Sequence, residues 1–427
     1  MKKLILSIFL FFVVIVASAQ LTSNQGKYYT DFPGIDYVFV FNGITNSTSI
    51  TYNGSALGLK WYTFTNPTPI YLGVDTFDQL ADNTGYVLEM PNGNKIYFWV
   101  IDYQKYIPAS KALSIENNPA AQCEDLKLFF NIPTLSYSTF SGVTHYLPRE
   151  YKLKYQTLGW TGSAWKQVDS TQTIVMPLTE KSITVPYCNT TFTLTGDQYA
   201  TDLGISPSSS ITDTYTSNAV ICKATSVLTL RTETNEEKRP SLASQHEGSA
   251  PLDFQFLSNA NEPIAQYYNW QIFKDNSKLP LITRNDKDHR YTFTQAGIYK
   301  VKISASNSFP CVYTDSIIIT VSESEIYAPN VFTPNGDGLN DEFRVAYKSI
   351  NTFQCWIYNR WGNELYTWTD PTKGWNGKYN GVDVKPGAYY YVIKALGSDY
   401  NPNSTPNPKT HRRVGEYLLK GDINLLR

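Results

Sequence analysis

Gly85-Tyr86-Val87-Leu88-Glu89-Met90-Pro91-Asn92-Gly93-Asn94-Lys95-Ile96-Tyr97-Phe98-Trp99-Val100-Ile101-Asp102-Tyr103 decides the structural class of this chain. Two apolar runs rich in aromatic and β-branched side chains flank Pro91-Asn92-Gly93-Asn94, and Asn-Gly between such runs is a hairpin turn. The pattern predicts strands over 85–90 and 95–103. The second run is apolar at successive positions, so both of its faces need cover. Burial on both sides, by a loop or by the next domain, would supply it. The alternative is that Tyr97, Trp99 and Tyr103 stand exposed as a platform for a glycan or protein ligand.

The same text recurs outward in both directions. Ile35-Asp36-Tyr37-Val38-Phe39-Val40-Phe41 stops at Asn42-Gly43, and the run from Leu57 to Phe64 follows Asn53-Gly54. Tyr151-Lys152-Leu153-Lys154-Tyr155 alternates strictly, which predicts a strand with one wet face. Beyond the N-terminal apolar run, no ten-residue stretch has helical periodicity. The expectation is an all-β chain of tandem immunoglobulin-like β-sandwich domains. Its 427 residues allow three or four domains. Polar stretches at Glu116-Asn117-Asn118-Pro119, Thr232–Pro240 and Ser322-Glu323-Ser324-Glu325 read as solvated connections. They predict domains over 20–112, 113–225, 226–323 and 324–427.

Composition narrows the partners. Lys and Arg number 36 against 37 Asp and Glu, a net charge of -1, which excludes a whole-chain nucleic-acid footprint. Met1-Lys2-Lys3, an apolar run from Leu4 to Val16 and Ala17-Ser18-Ala19 together read as a signal peptide over 1–19, cleaved before Gln20. That run of about 13 residues is shorter than the ~20 a membrane helix needs. The mature chain is therefore expected to be exported, with no transmembrane segment. Export permits disulfides, and the five cysteines leave at least one unpaired. Cys123 and Cys188 are the candidate pair, 65 residues apart across one sandwich, while Cys311 and Cys355 read as small buried hydrophobes.

Residues 240–322 carry ordered landmarks: Gly248-Ser249-Ala250-Pro251-Leu252-Asp253-Phe254, Tyr268-Asn269-Trp270-Gln271-Ile272, Tyr291-Thr292-Phe293, Gly297-Ile298-Tyr299-Lys300-Val301 and Ile317-Ile318-Ile319-Thr320-Val321. This segment resembles the PKD family of immunoglobulin-like modules, with Gln271 where that family usually has aspartate. Independently of the family, Trp270 is the expected core anchor, and the alternation of Tyr299 and Val301 puts both on one face.

The last hundred residues are more specific. Ala328-Pro329-Asn330-Val331-Phe332-Thr333-Pro334-Asn335-Gly336-Asp337-Gly338-Leu339-Asn340-Asp341 is followed by Tyr358-Asn359-Arg360-Trp361-Gly362-Asn363. Then come Gly374-Trp375-Asn376-Gly377, Pro386-Gly387-Ala388-Tyr389-Tyr390-Tyr391 and Lys420-Gly421-Asp422-Ile423. In this order the motifs resemble the gliding motility-associated C-terminal domain, the type B sorting domain of the type IX secretion system. The resemblance implies a small β-sandwich that engages the type IX machinery and carries its passenger across the outer membrane. On the residues alone, Asn335-Gly336-Asp337-Gly338 is a rigid turn, with an EF-hand-like calcium loop as the alternative. Trp361, Trp375 and Tyr389–Tyr391 read as sandwich core and girdle.

Catalytic patterns are missing. His145, His246, His289 and His411 are isolated, and Asp75, Asp78 and Asp82 read as a solvated acidic cluster. No cofactor, metal or catalytic residue is expected. The functional expectation is a secreted or cell-surface structural or adhesive module without catalysis. A carbohydrate-binding protein using the first-domain aromatics, or a surface hydrolase subunit, are the alternatives.

Overall fold

The computed structural model describes residues 20–427 except 56, 118–121 and 310, so the expected signal peptide lies outside the described residues. The described chain is all-β, and its one α-helix is the five-residue Gln198–Asp202. No described helix is long and apolar enough to cross a membrane. Residue contacts divide the chain into two compact units. The first takes in the described parts of Met1–Asn118, Glu124–Gly159 and Gln167–Ser217, and the second the described parts of Pro119–Cys123, Trp160–Lys166 and Asn218–Arg427. The boundaries expected near 112 and 323 fall inside these units, and that near 225 lies close to the passage between them at 217/218.

In the first unit, the quoted hairpin forms as the sequence predicts. Gly93 N–H donates to Met90 O and Met90 N–H to Asn94 O, with Gly93 at a φ of 82° that glycine adopts freely. Its strands, Thr84–Glu89 and Lys95–Asp102, are the two central members of a six-stranded sheet. Tyr37–Phe41 pairs in parallel on the far side of Lys95–Asp102. One face of that sheet buries Ile96, Phe98 and Val100 with Phe39, Phe41, Trp61 and Phe77. The other buries Trp99, Ile101 and Tyr103 with Val38, Val40, Leu135, Tyr137 and Leu147. Downstream strands thus supply the second cover.

At the same layer sits a buried ion pair. Arg149 Nε donates to Asp197 Oδ2 at 2.5 Å, and both side chains are fully buried. Arg149 Nη1 also donates to Pro133 O at 2.6 Å, and Tyr103 Oη donates to Asp197 Oδ1 at 3.0 Å. Burial and the neighbouring Asp197 carboxylate push the Tyr103 phenol up to about 12, so it stays protonated and donates. The Arg149–Trp160 strand that begins at this pair buries Tyr151, Leu153 and Tyr155 and exposes Lys152 and Lys154, the alternation read from sequence.

In the second unit, a three-stranded sheet (Thr225–Leu228, Leu252–Leu257, His289–Phe293) packs on a five-stranded one that includes Tyr267–Lys274, Gly297–Ser306 and Val312–Val321. Trp270 fills their shared core with Tyr299 and Val301, and its indole N–H donates to Lys287 O. Toward the C-terminus, Gly387–Gly397 and Glu416–Leu425 form the longest pairing of another five-stranded sheet, whose core gathers Phe332, Phe343, Trp375 and Tyr389.

Three expectations need correction here. Cys123 bonds Cys311, with Cα atoms 5.1 Å apart, while Cys188 is buried and free. Bonding needs Cα atoms within about 7 Å, and a sequence separation of 188 hides that proximity. The Thr232–Pro240 stretch is not simply a solvated loop. Glu236 is buried and takes a bidentate hydrogen bond from Arg231, and the Glu237 N–H donates to Tyr347 O. Nor is Ser322–Glu325 a free linker, since Ser324 is buried and its carbonyl accepts from Tyr417 Oη at 2.7 Å. In both cases charged or polar text is used to satisfy backbone groups at a packed edge.

Two outcomes are expected. Asp197→Ala leaves a buried guanidinium unpaired and should lower stability to denaturant by about 3–5 kcal/mol, whereas a surface control such as Lys154→Ala stays within ~0.5 kcal/mol. Thiol alkylation of the denatured, unreduced protein should label Cys188, Cys222 and Cys355 and spare Cys123 and Cys311, read by peptide mass spectrometry.

Candidate functional site

Two places carry motif or ligand chemistry. The first is the loop after Val331–Phe332. Phe332 anchors it in the core, and the chain beside it is held by Asn424 N–H donating to Asn330 O. Beyond Pro334, Gly336 and Gly338 take φ values of 81° and 83°, and Asn340 takes 54°. A Cβ at either glycine would meet nothing within 4 Å, so conformation and not space demands glycine there. Asp341 accepts the Gly336 and Gly338 N–H groups at 2.7 and 2.8 Å, and Asp337 accepts from Leu339 N–H at 2.8 Å. The Leu339 N–H first, and then the Asn335 side-chain amide, hold the Asp337 carboxyl below its usual range. The carboxylates are thus turned toward N–H dipoles, which favour anions and repel cations. Thr333 N–H closes the loop onto Asn340 O at 2.8 Å. The geometry is that of a rigid turn, and no cluster of three His, Cys, Asp or Glu suited to a metal exists among the described residues.

The remaining motif residues sort into core and surface. Trp375 is fully buried between Phe332 and Tyr389, and its indole N–H donates to Lys378 O at 2.8 Å. Gly377, at a φ of 74°, lies where a Cβ would come within 2.9 Å of Leu425. Pro386 precedes Gly387, which opens the Gly387–Gly397 strand, and Gly421 pairs with Tyr391 beside Asp422. Trp361 departs from its expected place in the core or girdle. It is 71% exposed, with the Arg360 guanidinium 4.2 Å from its ring centroid. The physical reason is the turn: Asn359 accepts from both Trp361 and Asn363 N–H groups, and Gly362 N–H returns to Asn359 O, so Trp361 sits at a hairpin tip.

The second place lies on the N-terminal sheet over Tyr97. Of the platform expected there, Trp99 and Tyr103 are buried, at 8% and 1% exposure, because the downstream strands cover them. Tyr97 is only half-buried and joins two aromatics that sequence reasoning missed. Phe140 lies 5.4 Å from Tyr97 and 5.5 Å from Phe64, centroid to centroid. These rings line a groove of about 300 Å³ with Asn66, Glu89 and Lys95 on its rim. Phe140 is 55% exposed at the turn between Leu135–Ser138 and Thr144–Leu147. A large apolar residue inside the turn text Thr139-Phe140-Ser141-Gly142 was the available signal.

Residues 326–406 match the model of the CHU_C type IX secretion signal domain, and residues 114–212 match a fibronectin type III domain. No curated protein matches the chain. Among solved structures, a tetra-tandem repeat from the extending region of a large adhesion protein is similar at 12% identity over 91% of this chain and 98% of that one, with a TM-score of 0.22. The FN1–FN3 domains of chicken CNTN1 are similar at 11% identity over 74% of this chain and 97% of that one, with a TM-score of 0.23. Dimeric latent PorU from Porphyromonas gingivalis is similar at 11% identity over 78% of this chain and 36% of that one, with a TM-score of 0.15. TM-scores this low establish no shared global arrangement. The family matches, set on an all-β structure, show that this chain carries a CHU_C type IX secretion signal domain at 326–406 and a fibronectin type III, immunoglobulin-like domain at 114–212.

Proposed function

We propose that this protein is a secreted or cell-surface structural or adhesive module, delivered by its C-terminal domain through the type IX secretion machinery and without catalysis of its own. A type IX secretion signal implies export by that route, and its match over 326–406 is the observation that carries the proposal. The motif residues support it physically. Phe332, Trp375 and Tyr389 build a core separate from that around Trp270, so the domain has the means to act as a self-contained address. In this proposal a signal peptide over 1–19 delivers the chain to the periplasm, with Gln20 as the first mature residue. Four modules follow, over 20–112, 113–225, 226–323 and 324–427, the third of them PKD-like. Fibronectin- and immunoglobulin-like sandwiches suit a stalk or binding role, and they fit a non-catalytic protein better than a surface hydrolase subunit.

The test is export in a host with type IX machinery. Removing 325–427 should leave a protease-resistant remainder in the periplasm, since the upstream sandwich keeps its own Trp270-centred core. Trp375→Ala should cost the terminal domain about 3–5 kcal/mol, and Gly338→Val about 1–3 kcal/mol at its left-handed φ. Both should reduce surface display in proportion. Normal amounts of the truncated chain at the surface or in the medium would overturn the sorting role.

A further inference from the structure

We propose that the groove formed by Phe64, Tyr97 and Phe140 binds a neutral sugar ring. This deepens the reading of the upstream modules as a binding module and rests on it. Three observations carry it. The first is where the groove lies. The Lys95–Asp102 strand is covered on both faces from Ile96 through Asp102 except at Tyr97, which stays half-buried. Tyr97, Phe64 and Phe140 are mutually tilted or edge-on, with centroids 5.4–6.2 Å apart, so they form a concave aromatic surface and not a closed stack. Phe64 rests in turn on buried Trp99 at 5.9 Å, which holds the floor rigid.

The second observation is the rim. Glu89 takes Lys60 on one carboxylate oxygen at 3.3 Å and Lys95 on the other at 3.2 Å. Each ammonium keeps further donors, and the carboxylate keeps lone pairs. The Asn66 Oδ1 accepts from Thr68 N–H at 2.9 Å, and its amide N–H₂ has no partner among the described residues. Donors and acceptors therefore stand side by side around the aromatic floor, with the opposite charges largely satisfying one another. That is complementary to hydroxyl groups, each both donor and acceptor. It suits an anion poorly, because Glu89 sits between the two lysines. The apolar C–H face of a pyranose completes the match, since the negative faces of aromatic rings attract weakly positive C–H groups.

The third observation is size. At about 300 Å³ the groove is at the lower end of small-ligand sites, room for a small ring and not for a helix or an added strand.

The experiment uses the full mature chain, residues 20–427, titrated by calorimetry and affinity electrophoresis. The probes are soluble cello-, xylo-, manno- and chito-oligosaccharides, with polygalacturonate as an acidic control and a proline- and aromatic-rich peptide as a protein surrogate. Binding of at least one neutral oligosaccharide is expected, nearly unchanged between low and high salt. Phe140→Ala, on an exposed side chain whose loss leaves the core intact, should weaken it by about tenfold, and Phe140→Trp should retain it. Tyr97→Phe should retain the stacking floor, and Asn66→Ala should weaken binding in a sugar-dependent way. The proposal is overturned if no neutral oligosaccharide binds, if binding survives Phe140→Ala, or if only the peptide or the acidic polymer binds. Export is measured separately, so failure of the groove leaves the sorting role standing and the converse also holds.

Discussion

One strand, Lys95–Asp102, needs burial on both faces, and much of the N-terminal unit follows from that constraint. Its Ile96, Phe98 and Val100 side chains are satisfied within the first sheet system. Its Trp99 and Ile101 side chains, with Tyr103 of the helical turn that follows the strand, have no cover there and take it from strands that come later, through Leu135, Tyr137 and Leu147. Burying three large side chains from water stabilises by roughly 1.5–3 kcal/mol each. The first sheet would otherwise present an apolar face to solvent, so its stability is tied to the strands that follow.

The Arg149–Asp197 pair sits where that cover meets the sheet. A buried ion pair contributes little net stability over an apolar alternative, but it is directional, and losing one partner is costly. Asp197 also caps the Gln198–Asp202 helix by accepting from Ala200 N–H at 3.0 Å, and it receives Tyr103 Oη from the helical turn that follows the first sheet's Lys95–Asp102 strand. One carboxylate therefore ties three elements from distant parts of the chain into a single register. The same cover stops short at Tyr97, and the aromatic groove exists because of that shortfall.

The C-terminal domain uses a different economy. Its motif residues are mostly backbone devices: glycines at positive φ, carboxylates that bind amide N–H groups, and tryptophans that either fill the core or crown a turn. Trp375 and Trp361 look alike in the text, yet one is fully buried and the other is the exposed tip of a hairpin beside Arg360. A secretion signal domain that engages its machinery benefits from rigid loops, because ordering them at the moment of contact would cost conformational entropy.

Short-range chemistry was legible from the sequence alone. Asn92-Gly93 between apolar runs specified the hairpin, the Tyr151–Tyr155 alternation specified a one-sided strand, Trp270 was readable as a core anchor, and the ordered terminal motifs pointed to a sorting domain. The hairpin and the one-sided strand are set by local dihedral preference and by a period of two, which neighbouring residues determine, whereas the sorting domain was legible only through the resemblance of its ordered motifs to a family. Tertiary structure decided everything that depends on distance in space. It paired Cys123 with Cys311 and not Cys188, because bonding depends on Cα separation, which sequence spacing does not encode. It buried Trp99 and Tyr103 while leaving Tyr97 half-buried, because the covering strands arrive from elsewhere in the chain. It turned the charged Thr232–Pro240 stretch into a packed edge, since Glu236 finds Arg231 and its neighbour finds Tyr347 only after the sheets have formed.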